Sequence, residues 1–129
     1  MTISNWIMME QRFSMKGRMK SFKFAFTGLR KMLKEEHNFR VHLFMASVVV
    51  VAGFAFGLTR VEWIFIVFAI GIVLSLEIIN SSIECLADFI SRDRNDVIKE
   101  IKDLSAAGVL MGSIMAFIIG LIIFLPKIL

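Results

Sequence analysis

The chain has 129 residues, 57% of them apolar, and a formal net charge of +4. That length allows one domain at most, and apolar residues gathered into long runs exclude an ordinary soluble globular protein in favour of an integral membrane one. The basic residues adjoin an apolar run without any nucleic-acid motif, which argues against nucleic acid as a partner, and the single cysteine, Cys85, rules out an intramolecular disulfide or a cysteine-based metal cluster.

Residues 1–17 read as a tail. Trp6, Ile7, Met8, Met9 and Phe13 make it weakly amphipathic. It has no compact apolar core or small-residue cleavage site of a signal peptide, so the first span is expected to be retained. Over residues 18–37, Phe22, Phe26, Leu29 and Leu33 recur at helical spacing while Lys and Arg occupy the remaining surface. Such a helix lies in the bilayer interface rather than crossing it. The basic run (Arg12, Lys16, Arg18, Lys20, Lys23, Arg30, Lys31, Lys34) is a solvated face and a topology signal. It also favours anionic headgroups, by about 1 kcal/mol per nearby cation.

Three spans follow, at residues 39–58, 63–88 and 104–125. Each is long enough to cross a hydrocarbon core of about 30 Å. Thr59-Arg60-Val61-Glu62 reads as a short turn and Trp63 as an interfacial anchor. Residues 89–103 form a charged connection, and Pro126 is expected to halt the last span. Gly108, Gly112 and Gly120 offer close helix contact there. The basic N-terminal segment shares one side with Arg92, Arg94, Lys99 and Lys102, whereas the other side carries only Arg60 and Lys127. The first side is therefore cytoplasmic and the C-terminus outside.

Within the second span, Glu77, Asn80, Glu84 and Asp88 fall in a stripe roughly 80° wide. A carboxylate at the centre of a span costs about 2.5–3.5 kcal/mol on insertion scales. Asn and Ser suffice to glue helices together, so the acids need another reason. Glu84 lies near the cytoplasmic surface and Glu77 roughly 10 Å deeper. Glu35 and Glu36 at the start of span one, and Lys102-Asp103 at the start of span three, reach the same level. Carboxylates beside a lysine suit Mg²⁺ and phosphate, and phosphoryl transfer needs mainly positioning, charge neutralisation and a base near the acceptor hydroxyl. The deeper Glu77 would meet a lipid's hydroxyl rather than a soluble substrate. No P-loop, kinase glycine loop or Rossmann fingerprint is present.

Four blocks carry a resemblance: Ala25-x-x-Gly28-Leu29-Arg30, Glu36-x-Asn38-Phe39-Arg40-x-His42, Glu77-x-x-Asn80-x-x-x-Glu84-x-x-x-Asp88, and Lys102-Asp103-x-x-Ala106-Ala107. From about Phe22 onward the chain resembles the prokaryotic diacylglycerol kinase family, small bacterial membrane lipid kinases that include the undecaprenol kinases. The resemblance implies an all-α integral membrane fold of three transmembrane helices plus the interfacial helix, in a multi-pass homotrimer of the inner (cytoplasmic) membrane with active sites shared between subunits. It implies transfer of the γ-phosphate of MgATP to a lipid hydroxyl, with Mg²⁺ as cofactor. On the matching positions Glu77 would be the catalytic base, and Glu36 and Glu84 would hold Mg²⁺. Asn80, Asp88, Lys102 and Asp103 would position ATP, and Arg30, Asn38, Phe39 and His42 would line the surface by which the lipid arrives. For His42, as for His37, a simply packed histidine is an equal alternative.

Where family members often carry Glu-Tyr-His in the connection, this chain reads Asp93-Arg94-Asn95. Contacts of Asp93 and Arg94 with the nucleotide base are therefore expected to differ. The Asn38-Phe39-Arg40-x-His42 variant and the C-terminal apolar run favour undecaprenol over diacylglycerol as the lipid. A non-catalytic scaffold with the acidic stripe as glue is the alternative of another class. A cation channel is disfavoured, because the acids crowd one end of the spans.

Overall fold

The computed structural model describes residues 15–93 and 95–129. The described residues fold as helices with short connections: α1 Met15–Glu35, α2 His37–Phe56, α3 Arg60–Ile90 and α4 Asp96–Ile128. The chain divides into two compact units, Met1–Glu35 and Glu36–Leu129.

In the first unit, α1 begins at Met15 and so takes in residues assigned to the tail from sequence. Ser21 and Thr27 do not break it, because each hydroxyl donates to the carbonyl four residues back, Gly17 at 3.1 Å and Lys23 at 2.9 Å. Phe22, Phe24 and Phe26 are exposed alongside the cations. The Lys31–Glu35 pair, 4.0 Å apart and open to solvent, adds little to stability.

In the second unit, α2, α3 and α4 are each long and apolar enough to cross a membrane. At 31 and 33 residues, α3 and α4 extend roughly 45–50 Å, well beyond the hydrocarbon core, so their polar ends stay on continuous helix. Local chemistry sets the boundaries. α2 ends where Gly57 turns to φ +66°, its N–H bonding the Gly53 carbonyl, a left-handed cap that favours glycine. α3 starts at Arg60, earlier than the apolar run suggests, because Thr59 and Glu62 form a capping box. The expected turn at residues 59–62 is thus mostly the first turn of α3, and its Thr-x-x-Glu spacing was the signal. Asn95 caps α4 by accepting from the Val97 N–H at 2.8 Å, so Lys99, Lys102 and Asp103 sit on helix rather than in a loop. Pro126 does not halt α4. A proline here removes its own N–H bond and crowds the carbonyl four residues back, yet with only two helical residues after it the helix runs on, and Leu129 N–H reaches the Leu125 carbonyl at 3.1 Å.

α3 is the central helix, with α2 and α4 antiparallel along it. Each step up α2 is matched by a step down α3: Glu36 meets Ser81, His42 meets Glu77, and Gly53 meets Trp63. On the other side Asp88 meets Lys102, Asn80 meets Ser105, Leu76 meets Gly112, and Glu62 meets Lys127. Of the three glycines expected to mediate contact in α4, only Gly112 does so; Gly108 and Gly120 have nothing within 4 Å of an added Cβ. The seam of α3 is Ile66, Ala69, Val73 and then Glu77, with residue exposures of 2%, 6%, 7% and 6%. Spacings of three and four residues keep these on one helical stripe, so the packing that buries three apolar side chains also buries a carboxylate.

Candidate active site

Glu77 is the one buried charged residue among the described residues. Its Oε1 lies 3.0 Å from Nε2 of His42 on α2. No other bond to Glu77 exists among the described residues. No fully sealed side-chain oxygen among the described residues lacks a partner. A buried carboxylate held beside an imidazole suits a base that must meet a hydroxyl of fixed position.

Toward the α3–α4 connection the polar contacts continue as a ladder. Ser81 Oγ donates to Glu36 Oε1 at 3.0 Å, tying the N-cap residue of α2 to α3. Asn80 is held from two sides. It donates through Nδ2 to Glu84 Oε1 at 3.3 Å and accepts at Oδ1 from Ser105 Oγ of α4 at 2.7 Å. Lys102 Nζ donates to Asp88 Oδ1 at 2.5 Å, joining α4 to the last turn of α3. Glu77 lies about 10 Å along α3 from Glu84, and the ladder fills that interval.

No group of three His, Cys, Asp or Glu among the described residues could hold a metal by itself. That composition still fits Mg²⁺, which ordinarily takes one or two protein carboxylates and fills its octahedron with phosphate oxygens and water. Glu36 and Glu84 offer such hard oxygen donors, each steadied at one oxygen by Ser81 or Asn80. The residues therefore suit an ion that arrives on a polyphosphate rather than one caged by protein.

Other residues predicted for the site fall as follows. Asp103 turns away from Lys102 and pairs instead with Lys99 at 2.6 Å on the exposed side of α4. Asp93 is exposed in the connection, and Arg94 lies outside the described residues. Arg30 is exposed on α1, in the other unit, and Asn38 is exposed at the start of α2. Phe39 is 4% exposed, hence a packed ring rather than part of an open surface. Sequence reasoning missed Ser81 and Ser105 as partners of the acids and amide. Serine one step from a motif position was their only signal, and it reads equally as a small packing residue.

Beyond His42, away from the ladder, a cleft of about 410 Å³ runs between the three helices. Its walls are apolar except for His42 and Ser113, and Ala46, Ala69, Ala116 and Gly120 give it width. The polar ladder and the apolar cleft therefore meet at the His42–Glu77 contact.

The sequence pattern of the family described as prokaryotic diacylglycerol kinase matches residues 23–124. The chain is 38% identical over 108 residues to the undecaprenol kinase of Bacillus subtilis, covering 84% of this chain and 88% of that one. It is 32% identical to the diacylglycerol kinase of Haemophilus influenzae over 69% of this chain and 75% of that one. Against the diacylglycerol kinase of Synechocystis the identity is 28%, over 84% of this chain and 63% of that one.

Proposed function

The chain belongs to the prokaryotic diacylglycerol kinase family and is a membrane lipid kinase, and from that premise we propose that it transfers the γ-phosphate of MgATP to the hydroxyl of undecaprenol. The observation that carries the reading is the buried Glu77, 3.0 Å from His42, where a ladder of phosphate- and metal-compatible groups meets an apolar cleft.

In this reading the lipid hydroxyl comes to Glu77 Oε2 and gives up its proton there. The alcohol oxygen forms its bond to the γ-phosphorus as the bond from that phosphorus to the bridging oxygen breaks, and that electron pair leaves with ADP. Bound Mg²⁺ supplies charge neutralisation on the phosphate oxygens. Glu36 and Glu84 hold that ion, Asn80 keeps Glu84 in place, and Lys102 with Asp88 orients the triphosphate. Asp103, paired with Lys99, acts at the outer edge of this nucleotide site. The cleft beyond His42 accepts the apolar part of the lipid, so the hydroxyl is presented at the level of Glu77.

Undecaprenol is favoured because the identity and the share of the relative's own length covered are higher against the undecaprenol kinase than against either diacylglycerol kinase named above. The lysine and arginine asymmetry supports a cytoplasmic N-terminus and α3–α4 connection with the C-terminus outside. One chain of three spans leaves polar rungs facing hydrocarbon, and neighbouring copies in a homotrimer would cover them. The test is phosphate transfer from labelled ATP with Mg²⁺ to undecaprenol and to diacylglycerol in parallel. Faster labelling of undecaprenol supports the assignment, and faster labelling of diacylglycerol replaces it with a kinase making phosphatidic acid.

A further inference from the structure

We infer that His42 is the positioning residue of the catalytic base: its imidazole fixes the carboxylate of Glu77 so that one oxygen faces the lipid hydroxyl. This deepens the reading of Glu77 as base and rests on it. The sequence pattern alone places His42 among residues that touch the lipid. The structure puts its Nε2 to another use, 3.0 Å from Glu77 Oε1, with 26% of the histidine side chain and 8% of the glutamate side chain exposed.

A glutamate side chain has three rotatable bonds, and holding it in one geometry costs rotamer entropy. Among the described residues nothing else holds the Glu77 carboxylate, since Ser81, Asn80 and Ser105 are engaged with Glu36, Glu84 and one another. Without His42 the buried carboxylate loses its one polar neighbour among the described residues and is free to swing. A base displaced by about 1 Å loses on the order of 100-fold in rate. The backbone supports the assignment. His42 and Glu77 occupy the rung next to Glu36–Ser81 in the antiparallel pairing of α2 and α3, so the contact is set by helix register. The ring also borders the apolar cleft. One group therefore lies at the place where the tail leaves off and the reacting hydroxyl must begin.

A positioning role predicts a loss in kcat with KM little changed. The experiment uses the full chain in detergent or lipid, with oligomer size and thermal midpoint checked for each variant. His42→Ala is expected to lower kcat about 10- to 100-fold while KM for lipid and for MgATP stays within about twofold. His42→Gln, whose amide N–H donates from a similar reach, is expected to keep kcat within about fivefold of the parent. Added imidazole, small enough for the vacated space, is expected to restore part of the His42→Ala rate. A raised lipid KM with kcat unchanged would make His42 a lipid contact and overturn the proposal. Equal losses in the Ala and Gln variants with no response to imidazole would overturn it too. Glu77→Gln separates the two layers. Abolished transfer there with an unaffected His42→Ala variant sinks only the positioning role, whereas full activity in Glu77→Gln sinks the base itself.

Discussion

At one end of α3, Glu62 and Lys127 lie 3.2 Å apart, Thr59 caps the helix and Trp63 packs on Gly53. Toward the other end, Glu77, Glu84 and Glu36 are each held at a single oxygen by a histidine, an amide and a hydroxyl. Both ends bring acids from one helix against polar groups of its neighbours, and both use the same antiparallel register. The difference lies in what is left over. Glu62 and Lys127 neutralise each other, and Glu62 spends further contacts on the Thr59 cap, so that end closes a helix pair. At the Glu77 end Glu36 and Glu84 have a hydroxyl and an amide as partners, the carboxylates outnumber the cations, and oxygens remain for a hydroxyl, a metal ion or a phosphate. A carboxylate within a span is costly, and the second arrangement leaves its acids with capacity for a ligand.

Substitutions that treat the two ends alike should therefore give opposite results. The largest effect is expected from Glu77→Gln. It keeps the shape and one acceptor but cannot take a proton, so phosphate transfer should fall by about 10²–10⁴-fold with oligomer size and thermal midpoint preserved. Retained turnover would move Glu77 into the same class as Glu62.

Ser81→Ala comes next. Losing the hydrogen bond to Glu36 is worth about 0.5–1.5 kcal/mol. The Mg²⁺ concentration for half-maximal rate should therefore rise about 2- to 10-fold, with the maximal rate largely recovered at high Mg²⁺. An unchanged Mg²⁺ dependence would show that Glu36 does not serve the metal.

Gly53→Ala is expected to act on stability alone. Its Cβ would sit 2.6 Å from the rigid Trp63 ring, an overpacking that typically costs about 1–3 kcal/mol. The thermal midpoint should drop while kcat per folded molecule is kept. The same change at Gly112 should cost less, because the atom it meets is the end of a flexible Leu76 side chain.

The smallest effect belongs to Lys127→Met. Breaking its pair with Glu62 should leave transfer within about twofold and stability within about 1 kcal/mol. A large loss of activity would contradict the division between the two ends.

Subunit sharing can be examined in the same frame. Glu36 and Glu77 stand on neighbouring rungs of one chain. If the active sites are shared between subunits, mixed trimers of Glu36→Gln and Glu77→Gln chains are expected to recover part of the activity, and no recovery in verified mixed trimers would count against sharing. Recovered transfer would show that the Glu36 of one copy works with the Glu77 of another.

The three spans, the acidic stripe and its family were legible in the sequence because they rest on hydrophobic runs and on residue spacing within single helices. Contacts between helices were not. That His42 serves Glu77 depends on the register of α2 against α3, which no periodicity within either helix reports. Ser105 escaped notice for the same reason, since its partner Asn80 lies across the α3–α4 interface. Helix ends were missed where polar capping, rather than hydropathy, decides them. Thr59-x-x-Glu62 and Asn95 extend α3 and α4 beyond their apolar portions. Phe39 is the converse case: an aromatic read from sequence as facing the lipid has its ring buried in the packing of the single chain.

The most direct test of the account is labelled phosphate transfer from MgATP to undecaprenol by the parent chain and by Glu77→Gln, at equal amounts of correctly assembled protein. The account predicts rapid labelling by the parent and none above background by the variant. Labelling at the parental rate by Glu77→Gln would contradict it.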